Sequence, residues 1–128
     1  MSSMHRAIEG DVLVNHLTRD EWLIDQDILA KHGRTARTLV KEGPLRLTVM
    51  AIGPGGNLPP HDTTGPVTIQ VLEGELLFTA LDREYPLKTG DVLVLAPGVE
   101  HSATSEVGGK FLLTVFHAPS AGSRLPAE

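Results

Sequence analysis

The chain contains no cysteine, and that absence removes disulfides, thiolate metal ligands and thiol nucleophiles together. It fits a reducing compartment, and a cytoplasmic location is expected. Aromatic residues are scarce, with three Phe, one Tyr and one Trp in 128 residues, so aliphatic side chains must build most of the core. Basic residues are not in excess. Eleven Lys and Arg against 16 Asp and Glu leave a formal net charge of −5, whereas a nucleic-acid or anionic-membrane partner calls for a basic face. No apolar run is long enough to span a membrane, and Met1 to Gly10, with His5, Arg6 and Glu9, has no apolar stretch of the kind that forms a secretion signal. Neither nucleic acid nor membrane is therefore expected as a partner.

Glycine and proline, by contrast, are plentiful at 13 and 9 residues, and they punctuate short apolar segments in which alternate residues are polar. A chain of this length makes one domain with one sizeable core. It shows no repeat at solenoid period and no low-complexity block. Residues 1–33 read as an N-terminal extension that packs on the main body or on a partner. Within it, Val12-Leu13-Val14 is an edge strand or a strand lent to a partner. Thr18-Arg-Asp-Glu21 has capping-box spacing, and a short helix is expected between Arg19 and Lys31, closed by Gly33. Trp22 reads as the anchor of this segment.

From Arg34 onward the texture is β. Strands are expected at Arg34 to Lys41, Leu45 to Ile52, Val67 to Val71, Leu76 to Leu81, Tyr85 to Lys88, Val92 to Leu95 and Lys110 to Phe116, with Glu73-Gly74 as a turn. Residues 34–118 then form a sandwich or barrel, and 119–128, rich in Pro, Ser, Gly and Ala, a mobile tail.

Two stretches share one plan of tight turn, apolar strand and a histidine at a strand entrance. The first runs from Gly55 to Gly74 and carries His61. The second is Gly90-Asp-Val-Leu-Val-Leu-Ala-Pro-Gly-Val-Glu-His101. Together they resemble the two signature motifs of the cupin superfamily, in its small single-domain, RmlC-like form, over Leu45 to Phe116. In that family the first motif reads Gly, five residues, His-x-His, three or four residues, Glu, six residues, Gly. Gly55, His61 and Gly74 fall on it, while Thr63 stands at the second histidine and Val67 at the glutamate. In the second motif Gly90, Gly98 and His101 keep their spacing, Pro97 sits one place late and Ser105 replaces the usual asparagine. The resemblance implies an all-β fold, the double-stranded β-helix (jelly-roll) barrel, here with a short N-terminal helical segment. It also implies a homodimer, since related barrels commonly pair through strands outside the motif core.

The family's metal ligands are the residues of these motifs, and here they reduce to His61 and His101. Imidazole donors suit Zn, Ni, Fe or Cu, but firm binding needs three or four protein ligands. Asp62, Thr63, Gln70 and His117 are candidates to supplement the pair. The candidate ligand-binding set is His61, Thr63, Val67, Gln70, His101 and Arg46, with Ile69, Val71, Val94 and Phe116 lining or underlying the cavity. A bulge at Thr64-Gly65-Pro66 would be needed to turn Gln70 inward.

Three classes of function stay open. One is a small-molecule binding or sensing domain. A second is a metal-dependent oxygenase or isomerase with an unusual ligand set. The third is a metal-free acid/base enzyme of epimerase type, with an imidazole as base. The incomplete ligand set favours the first.

Overall fold

The structure is a computed structural model and describes residues 10–18 and 23–117. Among the described residues there are one α-helix, α1 (Gln26–His32), and eight strands: β1 (Arg34–Glu42), β2 (Leu45–Ile52), β3 (Asn57–His61), β4 (Val67–Ala80), β5 (Arg83–Lys88), β6 (Val92–Leu95), β7 (His101–Thr104) and β8 (Gly109–Phe116). All pairings are antiparallel. The first sheet runs β1-β2-β8-β4-β6 and the second β3-β7-β4-β5, so β4 belongs to both. This is the expected jelly-roll architecture, two curled sheets around a common core.

The structure departs from the sequence pattern in three places. Glu73-Gly74 is no turn, because the chain continues through it as β4, with a bulge between Val71 and Glu73 against β8. The bulge marks the point where β4 leaves one sheet for the other. A Cβ on Gly74 (φ 76°) would lie 2.1 Å from the Gly108 oxygen, so the crossing depends on a residue without a side chain. Strands β3 and β7 were not among the strands expected; His101 does stand at the entrance of β7, whereas His61 ends β3 instead of opening a strand. Pro59 and Pro60 hid β3, although an edge strand tolerates proline, and β7 spans only four residues. The run Val12-Leu13-Val14 forms no strand and stays exposed.

The helix forms later than expected. Asp25, not Thr18, is its N-cap, accepting a hydrogen bond from Ile28 N at 3.0 Å. Gly33 ends it in the left-handed conformation, as its place after the apolar pattern implied. The Gly33 carbonyl then accepts from Gly53 N at 2.9 Å, which pins the helix end to the turn after β2. Trp22 and residues 118–128 lie outside the described residues.

Alternation along the strands divides the apolar residues between two clusters. Val67, Ile69, Val71, Leu76, Phe78, Leu95, Phe111 and Val115 fill the space between the sheets. The opposite face of the first sheet carries Val40, Val49 and Ala51, covered by Leu17, Leu23, Ile24 and Leu29 from the N-terminal segment. Fully burying such a side chain is worth about 1.5–3 kcal/mol, so the segment has a thermodynamic reason to lie on the barrel. Val94 and Phe116, expected near the cavity, are exposed on this outer face. Their parity is opposite to that of Leu95 and Val115, which point inward.

Candidate functional site

His61 and His101 are directly paired across β3 and β7. Regular alternation would put Leu58 and His61 on opposite faces, since they are three residues apart. The bulge at Pro59-Pro60 absorbs one residue and brings both to the inner side. The two imidazole centroids lie 4.3 Å apart, with the ring planes at 57°. Behind them Phe78 sits 6.4 Å from His101 and meets Phe111 edge-on at 5.7 Å. His101 is 3 % exposed, whereas His61 faces solvent on its other side.

Each ring is tethered in the same way. His61 Nδ1 lies 3.3 Å from the Pro59 oxygen, and His101 Nδ1 lies 3.0 Å from the Val99 oxygen. A carbonyl oxygen only accepts, so Nδ1 carries a proton in both rings, and in the neutral form of either imidazole Nε2 is a bare acceptor. Burial pushes the His101 pKa below its ordinary 6.5, and the neighbouring His61 adds to the effect. The hydrogen bond to Val99 and the charge of Asp62 work the other way.

The loops that carry the histidines are joined to each other. Gly98 N donates to Thr63 O at 2.9 Å, and Gly55 N and Ser105 N exchange hydrogen bonds with Ser105 O and Gly56 O. Ser105 is buried, and its hydroxyl donates to Glu75 O at 2.6 Å while accepting from Gly108 N at 2.8 Å. The residue at the asparagine position is thus a structural tie between the two motifs. The sequence reading did not assign it that role. Phe78 was also missed, although its spacing from Leu76 and Ala80 marks all three as sharing one face.

Of the other candidates, Asp62 follows His61 directly and lies near enough for its charge to act on His101, and the rest are not brought to the pair. The Thr63 hydroxyl donates to Gly65 O at 2.8 Å within its turn. Val67 is buried among the aliphatic core residues. Gln70 is exposed on the outer face opposite Val92 and Leu112, because the 64–66 turn does not invert the parity of β4. Arg46 directs its guanidinium to the carbonyls of Gly43 and Leu45 in the β1–β2 turn. His117 is exposed beyond β8, beside the same turn. Among the described residues no group of three or more His, Cys, Asp and Glu side chains could hold a metal ion. A four-ligand centre therefore does not fit the residues present. One donor position is a hydroxyl engaged in its own turn and the other a core isopropyl group.

A cleft of about 780 Å³ lies elsewhere, between Ile24, Gln26 and Leu29 on one side and Gly53-Pro54, Glu73-Gly74 and Val107 to Lys110 on the other. Neither histidine lines it. Lys110 closes its wall with an ion pair to Glu73 at 3.0 Å and a bond to Leu17 O at 3.1 Å.

The fold and the two motifs agree with the comparisons. The family model described as "Cupin domain" matches residues 38–116, and the chain belongs to that family. A search of curated proteins found no match. Among solved structures, a conserved protein of unknown function from Streptococcus pyogenes superposes with a TM-score of 0.67 at 22 % identity, covering 94 % of this chain and 98 % of that one. An RmlC-like cupin from Desulfovibrio desulfuricans gives a TM-score of 0.69 at 23 % identity, with 83 % and 97 % covered. A cupin domain from Schizosaccharomyces pombe gives 0.69 at 18 %, with 86 % and 77 % covered. At these identities the likeness establishes the fold alone. No described helix is long and apolar enough to cross a membrane.

Proposed function

We propose that this cupin domain is a small-molecule binding module whose site is the His61–His101 pair, and that it works without a resident metal. The observation that carries this reading is the shared tether. Both Nδ1 atoms are committed to backbone carbonyls, so two fixed imidazoles 4.3 Å apart offer Nε2 acceptors to one guest. Such a pair recognises a molecule with hydrogen-bond donors, while Phe78 behind His101 suits an apolar or planar portion. His61 is reachable from solvent and His101 is not, so the guest meets His61 first. Burial keeps His101 neutral near pH 7, preserving its acceptor.

The test is imidazole-resolved NMR during titration with neutral polyols, primary amides and phenols. At least one of these classes is expected to move the His61 and His101 signals together in the wild type, and to lose that saturable binding in His61→Ala and His101→Ala. Zn²⁺ and Ni²⁺ titrated into chelator-free protein form the second arm. If neither ring responds to any organic class, the binding reading fails. If either metal binds stoichiometrically at submicromolar affinity, the metal-dependent reading takes its place.

A further inference from the structure

The cleft between the N-terminal segment and the first sheet has no part in the histidine reading, and its lining combines an apolar surface with an ion pair. Ile24, Leu29, Ile52, Pro54 and Val107 supply the aliphatic part. Lys110 and Glu73, which also line the cleft, pair at 3.0 Å through Nζ and Oε2, the lysine side chain being 13 % exposed and the glutamate 61 %. The cation thus sits deep and the anion toward solvent. Among the described residues, Glu73 and the Leu17 oxygen take two of the three ammonium donors of Lys110, which leaves one N–H for a guest. Nearby backbone donors are already used. Gly53 N donates to Gly33 O and Gly108 N to Ser105 Oγ, so recognition in the cleft falls to side chains.

Gly53 supplies a second, independent observation, because its φ is not in the left-handed region and a Cβ there would meet nothing closer than 3.7 Å. The fold does not require glycine at this position. What the missing side chain does is keep open the space beside Leu29, whose Cδ1 would be 3.8 Å from that Cβ.

We infer that this cleft is a second ligand site, which takes a free α-amino acid with an aliphatic side chain. The inference is independent of what binds at the histidines. Charge selects the ligand, since a simple anion is repelled by Glu73 and a simple cation by Lys110, whereas a zwitterion laid head to tail along the pair satisfies both. Spacing agrees with this. The ammonium nitrogen and carboxylate carbon of an α-amino acid are joined through one carbon and stand about 2.5 Å apart, close to the 3.0 Å between the paired atoms. The ligand carboxylate takes the remaining donor of Lys110, and its ammonium donates to Glu73 Oε1. Its side chain then lies among Ile24, Leu29 and Pro54, in a cleft of about 780 Å³ that is of small-molecule size.

The probe is L-leucine, titrated into the full-length wild-type protein and followed by amide and imidazole NMR. The amides of Gly53, Gly108 and Lys110 are expected to shift to saturation, while the ring signals of His61 and His101 stay in place. Isocaproate lacks the ammonium, isoamylamine the carboxylate and glycine the aliphatic body, and each should bind at least about tenfold more weakly than leucine. Glu73→Gln, which removes one charge, and Gly53→Val, which fills the space beside Leu29, should each weaken leucine by about tenfold at an unchanged far-UV circular dichroism spectrum. Wild-type amides that do not move with leucine up to about 10 mM overturn the inference, and that result requires no variant to fold. Shifts confined to the histidine rings also overturn it, by placing the ligand at the other site, and so does isocaproate or isoamylamine binding as tightly as leucine.

Discussion

At the scale of the residue, His101 ties stability to pH. Its imidazole is buried beside a second imidazole, and its pKa in the folded protein is lowered. In the unfolded chain it titrates near its ordinary value of 6.5. Between the lowered value and the ordinary one the unfolded state binds more protons, so folding stability rises with pH through that window and falls on acidification. Urea midpoints measured between pH 7.5 and 5.5 should decline for the wild type and decline less for His101→Leu. Equal slopes would mean that other groups set the dependence.

At the scale of the element, the β4–β5 hairpin is closed by two residues with positive φ, Leu81 at 52° and Asp82 at 61°. That is the backbone of a type I′ turn, which prefers Asn-Gly. An exposed leucine gains nothing there and carries a left-handed cost of about 1–2 kcal/mol. Leu81→Asn with Asp82→Gly should therefore stabilise the fold by about 1 kcal/mol, read as a higher urea midpoint at unchanged m-value. A lower midpoint would show that Leu81 makes a contact worth more than its strain.

The sequence showed the turn at Asp82 but not its handedness, and the same limit applies elsewhere. Strands β1, β2, β5, β6 and β8 were legible within a few residues, although a register shift between Thr38 and Val40 interrupts the alternation of β1. The crossing at Gly74 was not, because a glycine after a glutamate reads as a turn whether the chain reverses or merely bulges. Of the site, His61 and His101 were legible from motif spacing, while the bulge that turns His61 inward was concealed by two prolines. Gln70 and Arg46 were misleading for a different reason. Residue type indicated capacity to bind, but pairing parity and nearby carbonyls decided where those side chains went.

At the scale of the whole molecule, the barrel is stabilised on both sides of the first sheet, by the inter-sheet core and by the N-terminal segment. The fourteen residues of β4 are divided between the sheets, with the Val67 to Gly74 half pairing β8 and the Glu75 to Ala80 half pairing β5, and both sheets lose an internal strand if β4 leaves. The sheets are thus one cooperative unit, not two that can melt in turn. In deuterated solvent this has a kinetic signature. The amides of Ile69, in the half that pairs with β8, and of Phe78, in the half that pairs with β7, should exchange with opening free energies equal to each other and to global unfolding. Helix α1 contacts the barrel mainly through β1 and has no fully buried residue, so its amides should exchange through openings that leave the sheets intact. A gap of more than about 1 kcal/mol between Ile69 and Phe78 would mean that the barrel can open along its seam; matched values would make the isotope label a record of how often the entire fold is lost.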